Sequence, residues 1–328
     1  MFVDLPLEQL REYRPAIPLP GDFDEFWAGQ VAAARSVDAA GAAFRPVPAP
    51  LAAIDAYDVT FPGHGGAPIK GWLLMPRTAA GDAPVIVEYV GYHGGRGDVL
   101  DWLMWASCGL PHLVMDSRGQ GGGWRTADTV DAGSTGEPGS TGFLTRGIGR
   151  PQDHYYTRLT IDAVRAIDAV RAEPLLAGRP VVTAGGSQGG GLAIAAAHLS
   201  GDVAACLPDV PFLSHLRRAA EITDAGPYAE LAAFCRLRPA DAETAFATLS
   251  YLDVANHALR ASAPALFSVA LRDDIAPPST VFAAYQRYAG PKDIAVYPFN
   301  GHEGGGTVHR RAQLEYLRGL FPSMPRGV

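Results

Sequence analysis

The stretch Pro180–His198 restricts what this chain can fold into more than any other. It reads Pro-Val-Val-Thr-Ala-Gly-Gly-Ser-Gln-Gly-Gly-Gly-Leu-Ala-Ile-Ala-Ala-Ala-His. Val181–Ala184 is a short apolar, β-rich run, the pattern of a buried strand. Leu192–His198 is small and apolar on every side, which suits a buried helix. Between them lies Gly185-Gly186-Ser187-Gln188-Gly189, a G-x-S-x-G turn. A serine lifted above a sheet must sit on a sharp, strained turn, and only neighbours nearly free of side chain allow it. Ser187 is then a candidate nucleophile, the backbone N–H of Gln188 points at a developing oxyanion, and the helix start adds a favourable dipole. Glycine-rich turns also bind phosphate or simply reverse the chain. The nucleophile reading therefore requires an acid and a histidine downstream.

Of 328 residues, 48% are hydrophobic and 19% charged, enough for one large α/β domain with insertions rather than two independent domains. The net charge of −7 argues against nucleic acid or an anionic membrane as partner. Cys108, Cys206 and Cys235 are odd in number and lack metal-site spacing, so a reducing compartment is expected and no metal is. Cys206, in an apolar run, reads as core. The first eight residues show neither a basic start nor an apolar signal core, and no run is long enough to span a bilayer. The expected location is the cytoplasm.

Residues 1–50 are punctuated by prolines and read as an arm packing on the main domain (51–328) or on a neighbouring subunit. One helix is expected there, from Asp22 as N-cap through Phe23, Phe26, Trp27 and Val31 on one face. Ala56–Phe61 and Ile69–Met75 read as a hairpin with His64 a solvated turn residue. Pro84–Val90 and Leu110–Asp116 read as strands, Tyr155–Ala172 as an amphipathic helix and Thr126–Arg150 as a functional or disordered loop. Ala204–Leu207, Ala263–Leu271 and Ile294–Tyr297 are further strands. This alternation predicts a mostly parallel central sheet flanked by helices. Residues 213–251 read as a helical insertion over the active site, broken at Gly226-Pro227 and Pro239. Phe212 and Tyr228 are expected to wall the pocket, with core packing equally open.

Ser187, Asp273 and His302 come in the order nucleophile, acid, base, each at the carboxyl end of an expected strand, which is the order of the α/β-hydrolase fold. A serine is a poor nucleophile until an imidazole takes its proton, and a buried carboxylate holds that imidazole in the right tautomer. Asp209 follows another strand, and Asp274 is adjacent; Asp273 is preferred because it comes first after its strand and Ile275 wants the core. In this fold the loop after the third strand supplies a second oxyanion N–H, here assigned to Tyr92 in Gly91–Gly97. His93 reads as loop structure. Arg118 reads as one half of a structural ion pair, with Glu303 a candidate partner.

The chain closely resembles the acetyl xylan esterases and cephalosporin C deacetylases of carbohydrate esterase family seven. The resemblance rests on Arg118-Gly119-Gln120, Gly185–Gly189 and His302-Glu303, with further matching stretches at Gly91–Gly97, Pro211–Arg218, Pro277–Tyr285 and Gly301–Gly306. It runs from about Asp22 to the carboxyl terminus. It implies a serine esterase that removes acetyl groups from small substrates such as acetylated xylo-oligosaccharides, acetylated sugars and cephalosporin C. It also implies no metal or organic cofactor, oxyanion N–H groups on Tyr92 and Gln188, Asp273 as the acid, and a hexamer built as a trimer of dimers. Asp274 and Ala276 stand where an amide and a cysteine are expected. The competing readings are a peptidase or longer-chain ester hydrolase on the same fold, and a binding protein without activity.

Overall fold

The computed structural model describes residues 3–37, 41–79, 82–131 and 142–324. Residues 132–141, the middle of the expected 126–150 loop, lie outside them. Nine strands form one sheet in the order β1-β2-β3-β5-β4-β6-β7-β8-β9. They are β1 (Ala43–Val47), β2 (Ile54–Pro62), β3 (Pro68–Pro76), β4 (Val85–Tyr89), β5 (His112–Met115), β6 (Val181–Gly186), β7 (Ala205–Asp209), β8 (Ala265–Ala270) and β9 (Lys292–Tyr297). The first three are antiparallel to their neighbours, and from β5 to β9 every pairing is parallel. A sheet of this kind, covered on both faces, needs strands that are apolar throughout, and β4, β5 and β8 are buried at every position. Among the described residues no helix is long and apolar enough to cross a membrane.

The helices, in chain order, are α1 (Leu7–Glu12), α2 (Phe23–Arg35), α3 (Leu103–Ser107), α4 (Tyr155–Ala172), α5 (Gln188–Ser200), α6 (Leu216–Ile222), α7 (Tyr228–Leu237), α8 (Ala242–Ser250), α9 (Val254–Ala258), α10 (Pro278–Arg287) and α11 (Gly306–Leu320). Helices α4 and α5 cover one face over a core that includes Tyr89, Leu113, Ile167, Leu192 and Phe267. On the other face, Trp105 of α3 and Leu317 of α11 pack on Ile86, Val182 and Leu207. Helices α6 to α8 fall in the segment read as an insertion. Cys206 is fully buried, and burial pushes its thiol up to about 12.

The first fifty residues hold more structure than their prolines suggest. Besides α2 they contain α1 and the edge strand β1, so the sheet begins inside the segment read as an arm. Pro46 is tolerated because β1 has a partner on one side alone, so no ladder bond on the open side needs its missing N–H. His64 also departs from expectation. It is half-buried, and its backbone N–H donates to Asp162 Oδ1 at 2.8 Å.

Helix α2 buries Phe23, Trp27 and Val31 over α5 and α9. Beneath it His198 Nδ1 and His257 Nδ1 lie 3.0 Å apart, with Trp27 and Phe23 packed edge-on against the His257 ring. A contact between two ring nitrogens holds one proton, so the pair belongs to the neutral rings. Burial, then the charge of Arg260, lowers His198 to about 4, and burial holds His257 well below its ordinary value. In the unfolded chain both titrate near 6.5. Below that pH the unfolded state takes up protons that the folded state refuses, so stability falls from pH 6.5 down to the folded values. The urea midpoint should therefore drop steadily below pH 6.5, and His198→Gln should flatten part of that slope.

Candidate active site

Strand β6 delivers Ser187 to the end of the sheet and α5 begins at the next residue. Ser187 has φ +57° and ψ −118°, a left-handed setting rare for a residue with a side chain. The backbone is held there from both sides. Its N–H donates to Asp209 O at 2.9 Å, and its carbonyl accepts from Gly191 N at 3.0 Å and Phe212 N at 2.9 Å. The flanking glycines are a steric requirement. A Cβ at Gly185 would lie 2.5 Å from the carbonyl carbon of Gly189, and one at Gly189 would collide with the carbonyl oxygen of Tyr89.

Asp273 follows β8, fully buried, and His302 follows β9. His302 Nδ1 lies 2.9 Å from Asp273 Oδ2 and 3.1 Å from Oδ1. Oδ1 also accepts the backbone N–H groups of Ile275 and Ala276, both at 2.9 Å, which fixes the carboxylate. A carboxylate facing Nδ1 places the ring proton there and leaves Nε2 as an acceptor. Ser187 and His302 line one cleft of about 500 Å³, with Tyr92, Trp124, Pro227 and Ile275. Among the described residues no hydrogen bond joins the Ser187 hydroxyl to His302; such contacts often close only once substrate is bound. The neighbouring acids are occupied differently. Asp274 is exposed, and Asp209 lies 2.7 Å from His309 Nε2 and accepts from Gln313 Nε2 at 2.8 Å.

Neither Tyr92 N nor Gln188 N has a backbone acceptor among the described residues. Gln188 opens α5, where the first N–H groups lack helical partners. Its side chain is fully buried: Nε2 donates to Val90 O at 3.0 Å, and Oε1 accepts from Tyr156 OH at 2.9 Å and Gln120 Nε2 at 2.8 Å. Gln120 Oε1 accepts in turn from His93 N at 2.7 Å. Gln120 thus ties the serine turn to the Gly91–Gly97 loop. Arg118 anchors the same segment from below, forking onto Asp162 at 2.5 and 2.6 Å. Gly119 between them has φ +66°, and a Cβ there would press on Asp131.

Three expectations are corrected. Glu303 does not pair with Arg118. It is exposed and staples its own loop, accepting from Asn300 Nδ2 at 2.9 Å and Gly301 N at 3.0 Å, while Arg118 is spent on Asp162 and Asp131. Phe212 and Tyr228 do not wall the cleft. Both are fully buried with ring centroids 4.6 Å apart, because the Phe212 N–H bond to Ser187 O pulls that residue behind the turn. Ile275, expected in the core, is half-buried in the cleft wall.

The wall also contains residues the sequence reading missed. Trp124 is half-exposed and its indole donates to Tyr92 O at 2.8 Å. Its signal was a lone tryptophan after three glycines, Gly121–Gly123. Glu88, Asp209 and Arg310 form a polar wall, with Arg310 Nη2 3.5 Å from Glu88 Oε1 and Nη1 3.7 Å from Asp209 Oδ2. Burial alone would raise the Glu88 carboxyl, but Arg310 and His112 outweigh it and hold it at about 2.

The family model described as acetyl xylan esterase (AXE1) matches residues 1–320. The chain belongs to the acetyl xylan esterase family. It is similar to an acetyl xylan esterase from Paenibacillus sp. R4, with 39% identity, a TM-score of 0.89 and coverage of 96% of this chain and 99% of that one. Acetyl xylan esterase 1 from Thermoanaerobacterium sp. JW/SL YS485 follows, with 32% identity, a TM-score of 0.88 and coverage of 97% and 99%. Both share the α/β-hydrolase architecture of this chain. The acetyl esterase Axe7A of Xylanibacter ruminicola is 27% identical over 292 residues; the match takes in 88% of this chain but 65% of that relative, so the chain spans less than two thirds of its length.

Proposed function

We propose that this member of the acetyl xylan esterase family hydrolyses acetate esters of small polyols and sugars through an acetyl-Ser187 intermediate. The observation that carries the reading is the Asp273–His302 hydrogen bond facing the cleft where Ser187 stands in a left-handed turn. His302 Nε2 takes the hydroxyl proton as Ser187 Oγ attacks the acetyl carbonyl. The N–H groups of Tyr92 and Gln188 receive the negative charge on the former carbonyl oxygen. As the tetrahedral species collapses, His302 returns the proton to the departing alcohol. Water repeats the sequence on the acetyl-enzyme and releases acetate.

Acetylated xylo-oligosaccharides, acetylated monosaccharides and cephalosporin C are the proposed substrates. An aromatic side chain at Trp124 and the polar group of Glu88, Asp209 and Arg310, all in the cleft lining, support a hydroxylated leaving group. Assembly into hexamers belongs to the same proposal, supported by the exposed Phe299 and Val308 beside the His302 loop. A cytoplasmic location is supported by three unpaired cysteines. A fluorophosphonate should label Ser187, and among 4-nitrophenyl esters kcat/KM should fall roughly tenfold or more from acetate to octanoate. A preference for octanoate would favour the longer-chain reading, and an unlabelled Ser187 a protein without activity.

A further inference from the structure

The proposed oxyanion donor Tyr92 is gripped by a residue that neither the mechanism nor the family motifs use. Its phenol donates to Glu230 Oε1 at 2.7 Å and accepts from Phe143 N at 2.7 Å. The other oxygen of Glu230 accepts from Leu144 N at 3.3 Å. Glu230 sits on α7, half-buried, and Gly142 leaves it room: a Cβ there would occupy the carboxylate's place. Burial, reinforced by Glu230, raises the Tyr92 hydroxyl well above the ordinary tyrosine value, so it remains a donor throughout the working pH range.

The peptide that carries the Tyr92 N–H is held at its other points as well. Gly91 O accepts from Gly94 N at 3.1 Å, Tyr92 O from the Trp124 indole at 2.8 Å, and the next N–H, of His93, donates to Gln120. Those bonds hold the neighbouring carbonyls and the next N–H, and leave the Tyr92 N–H itself without a backbone acceptor among the described residues. The phenol ties Tyr92 to α7 as well, through Glu230. We propose that Glu230 is a positioning residue, which through the Tyr92 phenol keeps the Tyr92 N–H aimed at the oxyanion and so makes α7 part of the acetyl-transfer machinery.

Each oxyanion donor contributes about 10²–10³ in kcat when aligned, and a hydrogen bond weakens steeply once its angle is lost. Without the Glu230 bond the ring is held by its packing against His93, Phe143 and Phe212, which sets no direction for its hydroxyl. The Tyr92 N–H can then tilt, and ground-state binding of a small acetate ester scarcely registers that motion. The loss should therefore appear in kcat and leave KM nearly alone. This inference rests on the proposed acetyl-serine chemistry.

The experiment measures kcat and KM for 4-nitrophenyl acetate, per active site titrated with fluorophosphonate, in Glu230→Leu, Glu230→Gln and Tyr92→Phe. Titration removes misfolded protein from the count. Glu230→Leu should lower kcat about tenfold or more with KM within about twofold. Glu230→Gln keeps an oxygen for the phenol, gives up only the longer 3.3 Å contact with Leu144 N, and should hold kcat within about threefold. Tyr92→Phe loses a single oxygen and keeps the backbone N–H. It should match the leucine variant, and the Tyr92→Phe/Glu230→Leu pair should be no worse than either alone. A wild-type kcat per titrated site in Glu230→Leu, additive losses in the pair, or a glutamine variant as slow as leucine each overturns the proposal. If Ser187→Ala is dead while these variants are normal, the positioning role fails alone; if Ser187→Ala stays active, the acetyl-serine reading fails first.

Discussion

Ser187→Ala should lower kcat on 4-nitrophenyl acetate by about 10⁵-fold or more while leaving the fold intact. The size follows from the loss of the attacking oxygen. What remains is water attack on an ester bound beside the N–H groups of Tyr92 and Gln188, a residual about 10³–10⁴ above the uncatalysed reaction in comparable enzymes. The intact fold follows from the local structure. The Ser187 hydroxyl makes no hydrogen bond within the described residues, so its removal leaves no buried group unpaired. Alanine also tolerates φ +57° as poorly as serine does. Ser187→Gly, free of that strain, should be as inactive and more stable than the alanine variant by about 1 kcal/mol. Calorimetry beside an acetate-release assay checks both halves, and an alanine variant that turns over at the wild-type rate would remove the nucleophile from the mechanism.

Asp273→Asn should reduce kcat by about 10⁴-fold with the His302 ring still in place. The two backbone N–H groups of Ile275 and Ala276 hold Oδ1, so an asparagine carbonyl oxygen takes that site and turns its amide NH₂ toward His302 Nδ1. Two donors then face each other unless the ring proton moves to Nε2. In that tautomer the nitrogen nearest the serine is already protonated and takes no proton. Activity should return in part at high pH, as hydroxide does the work of the base. The check is a pH–rate profile for the variant beside wild type. A loss of only a few-fold would show that His302 keeps its tautomer without the carboxylate.

The serine turn was legible in the sequence because the constraints on it are local and severe. A strand, a glycine turn without room for a Cβ and an all-apolar helix fit Pro180–His198 in one way, and the structure builds β6 and α5 there. Tyr155–Ala172 was legible to the residue, since its apolar stripe and the following Pro174 bound a single helix. Strand β1 was not, because five residues that include Pro46 look like coil until the neighbouring strand is known. Phe212 and Tyr228 show the same limit at the site. An aromatic side chain suits a pocket wall and a core equally, and a backbone bond to Ser187 decides between them. Glu303 and Arg118 failed as a pair because an arginine under α4 had Asp162 in reach, a contact across 44 residues that no motif signals. Glu230 was invisible for the same reason, its partner Tyr92 being 138 residues away.

The segment ahead of α2 lies along the late part of the chain. The Asp4 carboxylate meets Arg218 across 214 residues and Ser279 N across 275, and Val3 N bonds Leu271 O beside the Asp273 turn. On the ribosome this segment emerges long before anything it docks on exists, and waits exposed until α10 has been made. Closing the acid–base side of the site is thus a late event in biosynthesis, and a polypeptide stalled before residue 218 contains the serine turn's sequence but none of these three partners of residues 3 and 4.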